Sequence, residues 1–306
     1  MTDSASNVIF ITSRYRKWLR PAKRSGATRT YGKVEPATEL EFVSMSNTPT
    51  TPRSVNFGGF TLKLFRTADE LAHGAADLVT SGLQKKPDLL IVTATGGSPT
   101  RTYEFLAEDY AKNPALFGRL RIHKLDEWGG LDADDPGSCE AYLRKHLLDP
   151  LRIGSDRYFG FRPNPPDPDA ECRRVSTWLY QNGPIDICIL GLGLNGHLAL
   201  NEPADFLPPF SHKAVLSEES RNHPMLAIAR KPATYGMGLG LAEIFASKQI
   251  LLLVNGAAKA KQLRRFVYER KVYPQHPASF LWLHPNVTCL CDKAAAAECN
   301  LESLEK

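Results

Sequence analysis

From about residue 58, short apolar runs alternate with stretches whose apolar positions recur at helical spacing. The runs at 88–94 (DLLIVTA), 185–190 (IDICIL) and 249–254 (QILLLV) are nearly continuous, as expected of parallel strands covered on both faces. Runs at 61–65, 120–125, 158–161 and 287–290 read as further strands, and 234–239 as extended chain. Helical periodicity marks 68–83, 99–112 (with Pro99 in its first turn), 138–148 and 257–270. Another helix, capped by Asp169, is expected to reach about Gln181. Alternating strands and helices predict an α/β fold, a doubly wound, mostly parallel sheet, in a single domain over residues 56–300.

Composition narrows the classes. The 306 residues are 42% apolar and 23% charged, enough for one large α/β core. No uninterrupted apolar run is long enough to span a membrane. The net charge of +5 is misleading, because residues 1–33 hold eight basic groups against one acid. The rest is slightly acidic, which gives no support to a nucleic-acid partner. Residues 1–55, rich in Ser, Thr and Pro, are set apart as a basic, disordered N-terminal extension. A leader preceding a true start at Met45, a targeting peptide and a phosphate-backbone-binding arm stay open for it. Six cysteines without CxxC spacing argue against a disulfide or zinc framework and for a reducing compartment, the cytoplasm.

In such sheets ligands sit beyond the carboxyl ends of the strands, and four segments there carry candidate chemistry. Gly96, Gly97 and Ser98, with Thr100, precede or open a helix and can cradle a phosphate on free N–H groups, unless they form an ordinary turn. Asp126 and Glu127 end the 120–125 strand; one can act as general base while the other anchors the loop, or both can be solvated. Residues 191–203 (GLGLNGHLALNEP) match a dinucleotide-binding pattern, but Pro203, Pro208 and Pro209 come too soon for its helix. The better reading is a glycine-lined loop presenting His197, with Glu202 to orient it. Lys259, in the first turn of the helix after 249–254, opposes the helix dipole unless an anion is shared there, so it is either a second phosphate contact or a surface lysine. No metal cluster and no activated Ser or Cys is evident. The set suits proton transfer on a phosphorylated sugar.

The segments TATGGSPTRTYEFL, KLDEWGGL, DAECRRVSTWL, GLGLNGHLALNEP, GLGLAEIF, LLLVNGAAKAKQL and PASFLWLHPNV, in this order over about 60–295, resemble the glucosamine-6-phosphate deaminase family. DEWGGL and PASFLWLHPNV resemble its galactosamine-6-phosphate isomerase/deaminase branch most, within a superfamily that includes 6-phosphogluconolactonases. The resemblance implies a three-layer Rossmann-like fold and a reaction without metal or cofactor, turning a hexosamine 6-phosphate (galactosamine or glucosamine 6-phosphate) into a ketose 6-phosphate and ammonia. It implies ring opening by His197 with Glu202, proton transfer between C2 and C1 by Asp126, and phosphate contacts from Gly96, Gly97, Ser98 and Lys259. Two positions depart from the family pattern. Asn195 stands where some deaminases have Asp, and so is assigned orientation only. The family's phosphate arginine aligns with Leu226; Arg221, ahead of Arg230, takes its place as the candidate. The segment from Ala204 to Arg230 reads as a lid or as a surface loop with a short helix. A sugar-phosphate substrate, no nucleic acid and no membrane are the expected partners, with a homo-oligomer allowed. The alternatives are a 6-phosphogluconolactonase-like hydrolase and a non-catalytic sugar-phosphate sensor.

Overall fold

The apolar runs form the centre of a sheet in a computed structural model that describes residues 52–300. The expected extension lies outside the described residues up to residue 51, and the first strand, β1 (Arg53–Phe57), begins just before the expected domain start. It forms an antiparallel hairpin with β2 (Phe60–Phe65). After helix α1 (Ala68–Lys85) come β3 (Leu90–Thr93), α2 (Gly97–Lys112) and β4 (Arg121–Lys124). A short strand β5 (Asp126–Gly129), helix α3 (Cys139–Leu143), β6 (Tyr158–Phe159) and α4 (Pro168–Asn182) follow. The second half holds β7 (Ile187–Gly191), β8 (His212–Ala214), α5 (Glu218–Arg221), β9 (Tyr235–Gly238), α6 (Leu241–Phe245), β10 (Gln249–Val254), α7 (Ala260–Glu269) and β11 (Val287–Asp292).

Eight strands make one sheet in the order β1-β2-β11-β10-β7-β3-β4-β6, parallel except for the first pair. Successive strand residues point to opposite faces, and here both faces are covered. Ile91, Ile187, Ile189, Leu251 and Leu253 pack with Leu71, Val79 and Leu83 of α1 and Leu106 of α2. Val92, Cys188, Leu190, Leu252 and Cys289 pack with Val175 of α4, Ile244 of α6 and Phe266 of α7. Three layers result, as expected from the continuous apolar runs. The chain runs outward from β3 to β4 and β6, then returns to place β7 on the other side of β3 before running outward through β10 and β11. The switch point therefore lies between β3 and β7, where such sheets open a crevice for ligands.

Several boundaries differ from expectation for local reasons. The cap of α4 is Asp167, whose carboxylate accepts from the N–H groups of Asp169 and Ala170, rather than Asp169 itself. The expected 138–148 helix is α3 continued by a π turn over 144–148. The expected 257–270 helix opens as a 3-10 turn, Ala257–Lys259, before α7. Asp126 and Glu127 are not in a loop: they start β5, which pairs antiparallel with β9, and β9 with β8, in a separate three-stranded sheet. Residues 204–230 contain β8, α5 and a 3-10 turn, Pro224–Ile228, so this crossing carries short regular elements between irregular stretches. Among the described residues no helix is long and apolar enough to cross a membrane.

Candidate active site

Helix α2 opens two residues earlier than its proline suggests, at Gly97, so Gly97 and Ser98 lie in its first turn. Their N–H groups have no acceptor within the helix. No side chain caps this end and its first turn holds no acid, so the positive end of the dipole is unopposed. Gly96 has φ +105°, a conformation open to glycine at little cost. A Cβ at Gly97 would meet nothing within 4 Å, so the space in front of this turn is open. Thr100 faces inward instead: its hydroxyl donates to the Gly96 carbonyl (2.8 Å) and meets the Tyr142 hydroxyl (2.7 Å), which fixes the loop.

The two acids have different environments. Glu127 is fully buried; it accepts from the N–H groups of Trp128 (2.9 Å), Cys139 (2.8 Å) and Glu140 (3.0 Å), and from the Lys124 ammonium (2.6 Å). It thus holds the start of α3 against the end of β4. Lys124, equally buried, also donates to Glu140 (2.8 Å), which accepts from the Tyr158 hydroxyl (2.6 Å). Asp126, by contrast, is only partly buried, and its carboxylate accepts from the Cys139 thiol at 4.0 Å. Burial, reinforced by the Glu127 charge and opposed by Lys124, pushes its carboxyl up to about 7. A carboxylate with that affinity can take a proton and return it near neutral pH.

No helix follows β7; the chain makes a tight loop instead. The Gly193 N–H donates to the His197 carbonyl (3.1 Å) and the Asn195 side chain accepts from the His197 N–H (3.0 Å). The imidazole folds back on Gly193, where a Cβ would lie 2.5 Å from His197 Cγ. Nδ1 faces Glu202 Oε2 at 3.5 Å, an ion-pair distance, which leaves Nε2 for a substrate oxygen. Glu202 also accepts from Asn195 Nδ2 (3.0 Å), the Ser217 N–H (3.4 Å) and the Ser220 hydroxyl. Burial opposes its charge, but His197, Ser220 and Asn195 outweigh that and hold it down to about 2. Asn195 thus orients both the loop and the carboxylate. Buried Asn201 secures the turn by donating to the carbonyls of Leu198 (2.9 Å) and Leu239 (2.8 Å).

Lys259 reaches across from the β10 side to donate to the Leu192 carbonyl (2.6 Å), and burial lowers its pKa. Asp292, at the end of β11, accepts from the Gly256 N–H (3.1 Å) and so fixes the turn that leads to Lys259. Arg221 lies exposed at the end of α5, and its N–H donates to the carbonyl of Ser217, whose hydroxyl accepts from Asn195 (3.3 Å). Arg230 pairs with Asp134 (3.0 Å), and Leu226 packs on the apolar cluster around Trp128 and Leu200.

A series of contacts joins these groups at one edge of the sheet. Asp126 Cβ (3.5 Å) and the Leu200 nitrogen (3.3 Å) both lie next to the position a Cβ would take on Gly238, which brings the strand bearing Asp126 against the loop bearing His197. Cys139 lies between Asp126 and Thr95 (3.3 Å), beside the Gly96 turn. Sequence reasoning missed His223, which comes from the 204–230 crossing and places Cε1 and Nε2 3.4 Å from the Cβ position of Gly96. Its signal was weak, one of two histidines in a stretch that also holds several prolines. Among the described residues no group of three or more His, Cys, Asp or Glu could hold a metal ion.

The close packing on Gly193 makes a direct prediction. Its φ is not in the left-handed region, so Gly193→Ala leaves the backbone unstrained, yet the methyl must displace the imidazole. A shift of about 1 Å at a reacting group costs roughly 100-fold in rate. Turnover is expected to fall by about that factor, with the thermal midpoint little changed; steady-state kinetics and thermal unfolding check this.

The family described as glucosamine-6-phosphate isomerases/6-phosphogluconolactonase matches residues 65–289. The chain is 38% identical over 230 residues to AgaI of Escherichia coli (strain K12), a deaminase by provisional naming, covering 75% of this chain and 91% of that protein. It is 34% identical over 235 residues to the glucosamine-6-phosphate deaminase of Bacillus pumilus (strain SAFR-032), covering 76% and 97%. Among solved structures, a monomeric glucosamine-6-phosphate deaminase superposes with a TM-score of 0.72 at 32% identity, over 78% of this chain and 99% of that one. The 6-phosphogluconolactonase of Trypanosoma brucei shares the fold, with a TM-score of 0.61 at 23% identity over 78% and 98%.

Proposed function

The chain belongs to the glucosamine-6-phosphate isomerase/6-phosphogluconolactonase family, and from that premise we propose that it deaminates a hexosamine 6-phosphate, glucosamine or galactosamine 6-phosphate, in amino-sugar catabolism. With water, the substrate gives a ketose 6-phosphate and ammonia. Six cysteines that form no disulfide suit a reducing compartment, the cytoplasm. The observation that carries the reading is the pairing of Asp126, poised near neutrality, with the His197–Glu202 pair at the edge that also bears the open turn of α2.

The phosphate sits on the N–H groups of Gly97 and Ser98, with Gly96 shaping the turn, the Lys259 ammonium beside it and Arg221 as a further candidate contact. As the hemiacetal opens, His197 gives a proton to the ring oxygen and takes up the one leaving the C1 hydroxyl, and Glu202 stabilises the imidazole when charged. Asp126 then removes the proton from C2 of the open aldehyde. The electron pair moves through C1 to the carbonyl oxygen, which His197 protonates, giving an enolamine that is reprotonated at C1 by the same carboxyl group. Water adds to the resulting C2 imine and ammonia leaves.

The test is ammonia release from glucosamine and galactosamine 6-phosphate. Release from at least one is the expected result; no ammonia from either, with hydrolysis of 6-phosphogluconolactone, overturns it in favour of the hydrolase. The acid side follows from Asp126, which must be ionised to accept the C2 proton. In the free enzyme kcat/KM is expected to fall tenfold per pH unit below about 7, where an ordinary carboxylate would hold it level to about 4. A pH–rate profile checks this.

A further inference from the structure

We propose that His223 is a phosphate-binding residue of this site, donating a hydrogen bond from Nε2 to the substrate's 6-phosphate. The proposal rests on the deaminase reading for the identity of the ligand, but its chemistry is that of any phosphate monoester bound at the start of α2. Four observations support it.

His223 caps the 3-10 turn Pro224–Ile228, and its Nδ1 accepts from the Met225 N–H (3.3 Å). A neutral imidazole whose Nδ1 accepts carries its proton on Nε2. Nε2 is thus a donor, and with Cε1 it lies 3.4 Å from the Cβ position of Gly96, the residue that starts the turn. The ring is held by Trp128, with centroids 5.6 Å apart, so its direction is set by packing rather than by the crossing alone. Beside it, in front of Gly97, is the open space described above.

The charges nearby point the same way. His197 and Lys259 are close enough to add to the effect of burial in holding His223 neutral, down to about 4. His223 thus stands near two further basic residues from separate segments, beside a helix opening without an acid in its first turn. A phosphate there accepts the Nε2 hydrogen bond. The same anion satisfies the helix N–H groups.

The test separates the donor from the ring and does not depend on turnover. Inorganic phosphate is titrated by calorimetry into the intact protein and two variants. His223→Phe keeps an aromatic ring against Trp128 but has no donor; His223→Gln loses the ring but puts an amide N–H near the former Nε2. Phosphate affinity is expected to fall about tenfold in His223→Phe, the effect of one good hydrogen bond to an anion. It should stay within about threefold in His223→Gln. With glucosamine 6-phosphate the loss in His223→Phe should appear in KM, with kcat retained at saturation. Wild-type phosphate affinity in His223→Phe, or an equal loss in both variants, overturns the proposal. Phosphate binding that follows the expected pattern without ammonia release keeps the proposal and rejects the deaminase reading instead.

Discussion

Asp126→Asn is expected to lower kcat for ammonia release by about 10²–10⁴-fold, the usual contribution of a positioned acid–base group, while leaving KM close to wild type. The amide keeps the shape of the side chain but cannot accept the C2 proton. The same substitution should stabilise the protein, with a defined pH dependence. The carboxyl of Asp126 is pushed up to about 7 by burial and by Glu127, so ionising it is harder in the folded chain than in the unfolded one. Its contribution to stability is intact below the ordinary carboxylate range and is lost as pH rises through about 7. The linkage has a ceiling of about 4 kcal/mol, and partial exposure reduces this to roughly 1–2 kcal/mol. At pH 8 the variant should therefore melt roughly 3–6 °C above wild type, and at pH 4 the two should coincide. Wild-type turnover, or an equal change in midpoint at both pH values, would rule out the assigned environment.

Lys124→Met is expected to destabilise by about 3–5 kcal/mol, because removing one partner of a buried ion pair leaves the other charge uncompensated. Lys124 and Glu127 are both fully inaccessible, and the ammonium bridges Glu127 and Glu140. Burial works against the Lys124 charge, but Glu127, Tyr158 and Glu140 outweigh it and raise its pKa. Glu127 also holds the N–H groups at the start of α3, so its displacement loosens the segment that brings Cys139 to Asp126. The double variant Lys124→Met with Glu127→Gln should recover much of the loss, because position 127 is then neutral and Glu140 keeps its ion pair with Arg144 (2.9 Å). Urea unfolding at pH 7 measures both. Lys124 also opposes the upward push on Asp126, so folded Lys124→Met should show its acid limb at higher pH than wild type.

The central strands were legible because burial on both faces leaves a nearly continuous apolar run, as in β3, β7 and β10. The three-stranded sheet was not. β5 begins with two acids one residue after β4, and its partner β9 lies more than a hundred residues away. Asp126, His197 and Glu202 could be singled out as candidates because each follows a buried strand, where this topology puts ligands. Lys124 looked like an ordinary strand residue, since its partners are named only by packing. Lys259 stood out as a basic residue in a first helical turn, but its bond to the Leu192 carbonyl crosses 67 residues of chain and could not be read locally. His223 was hidden for the same reason: nothing local shows that a crossing without apolar period will cover the Gly96 turn.

The most direct measurement is a crystal structure of Asp126→Asn with glucosamine 6-phosphate bound. The expected result places the phosphate on the N–H groups of Gly97 and Ser98 and the Lys259 ammonium, with C2 beside position 126 and the ring oxygen within hydrogen-bond reach of His197. A sugar bound elsewhere, or one whose C1 and C2 lie away from both side chains, contradicts the assignment.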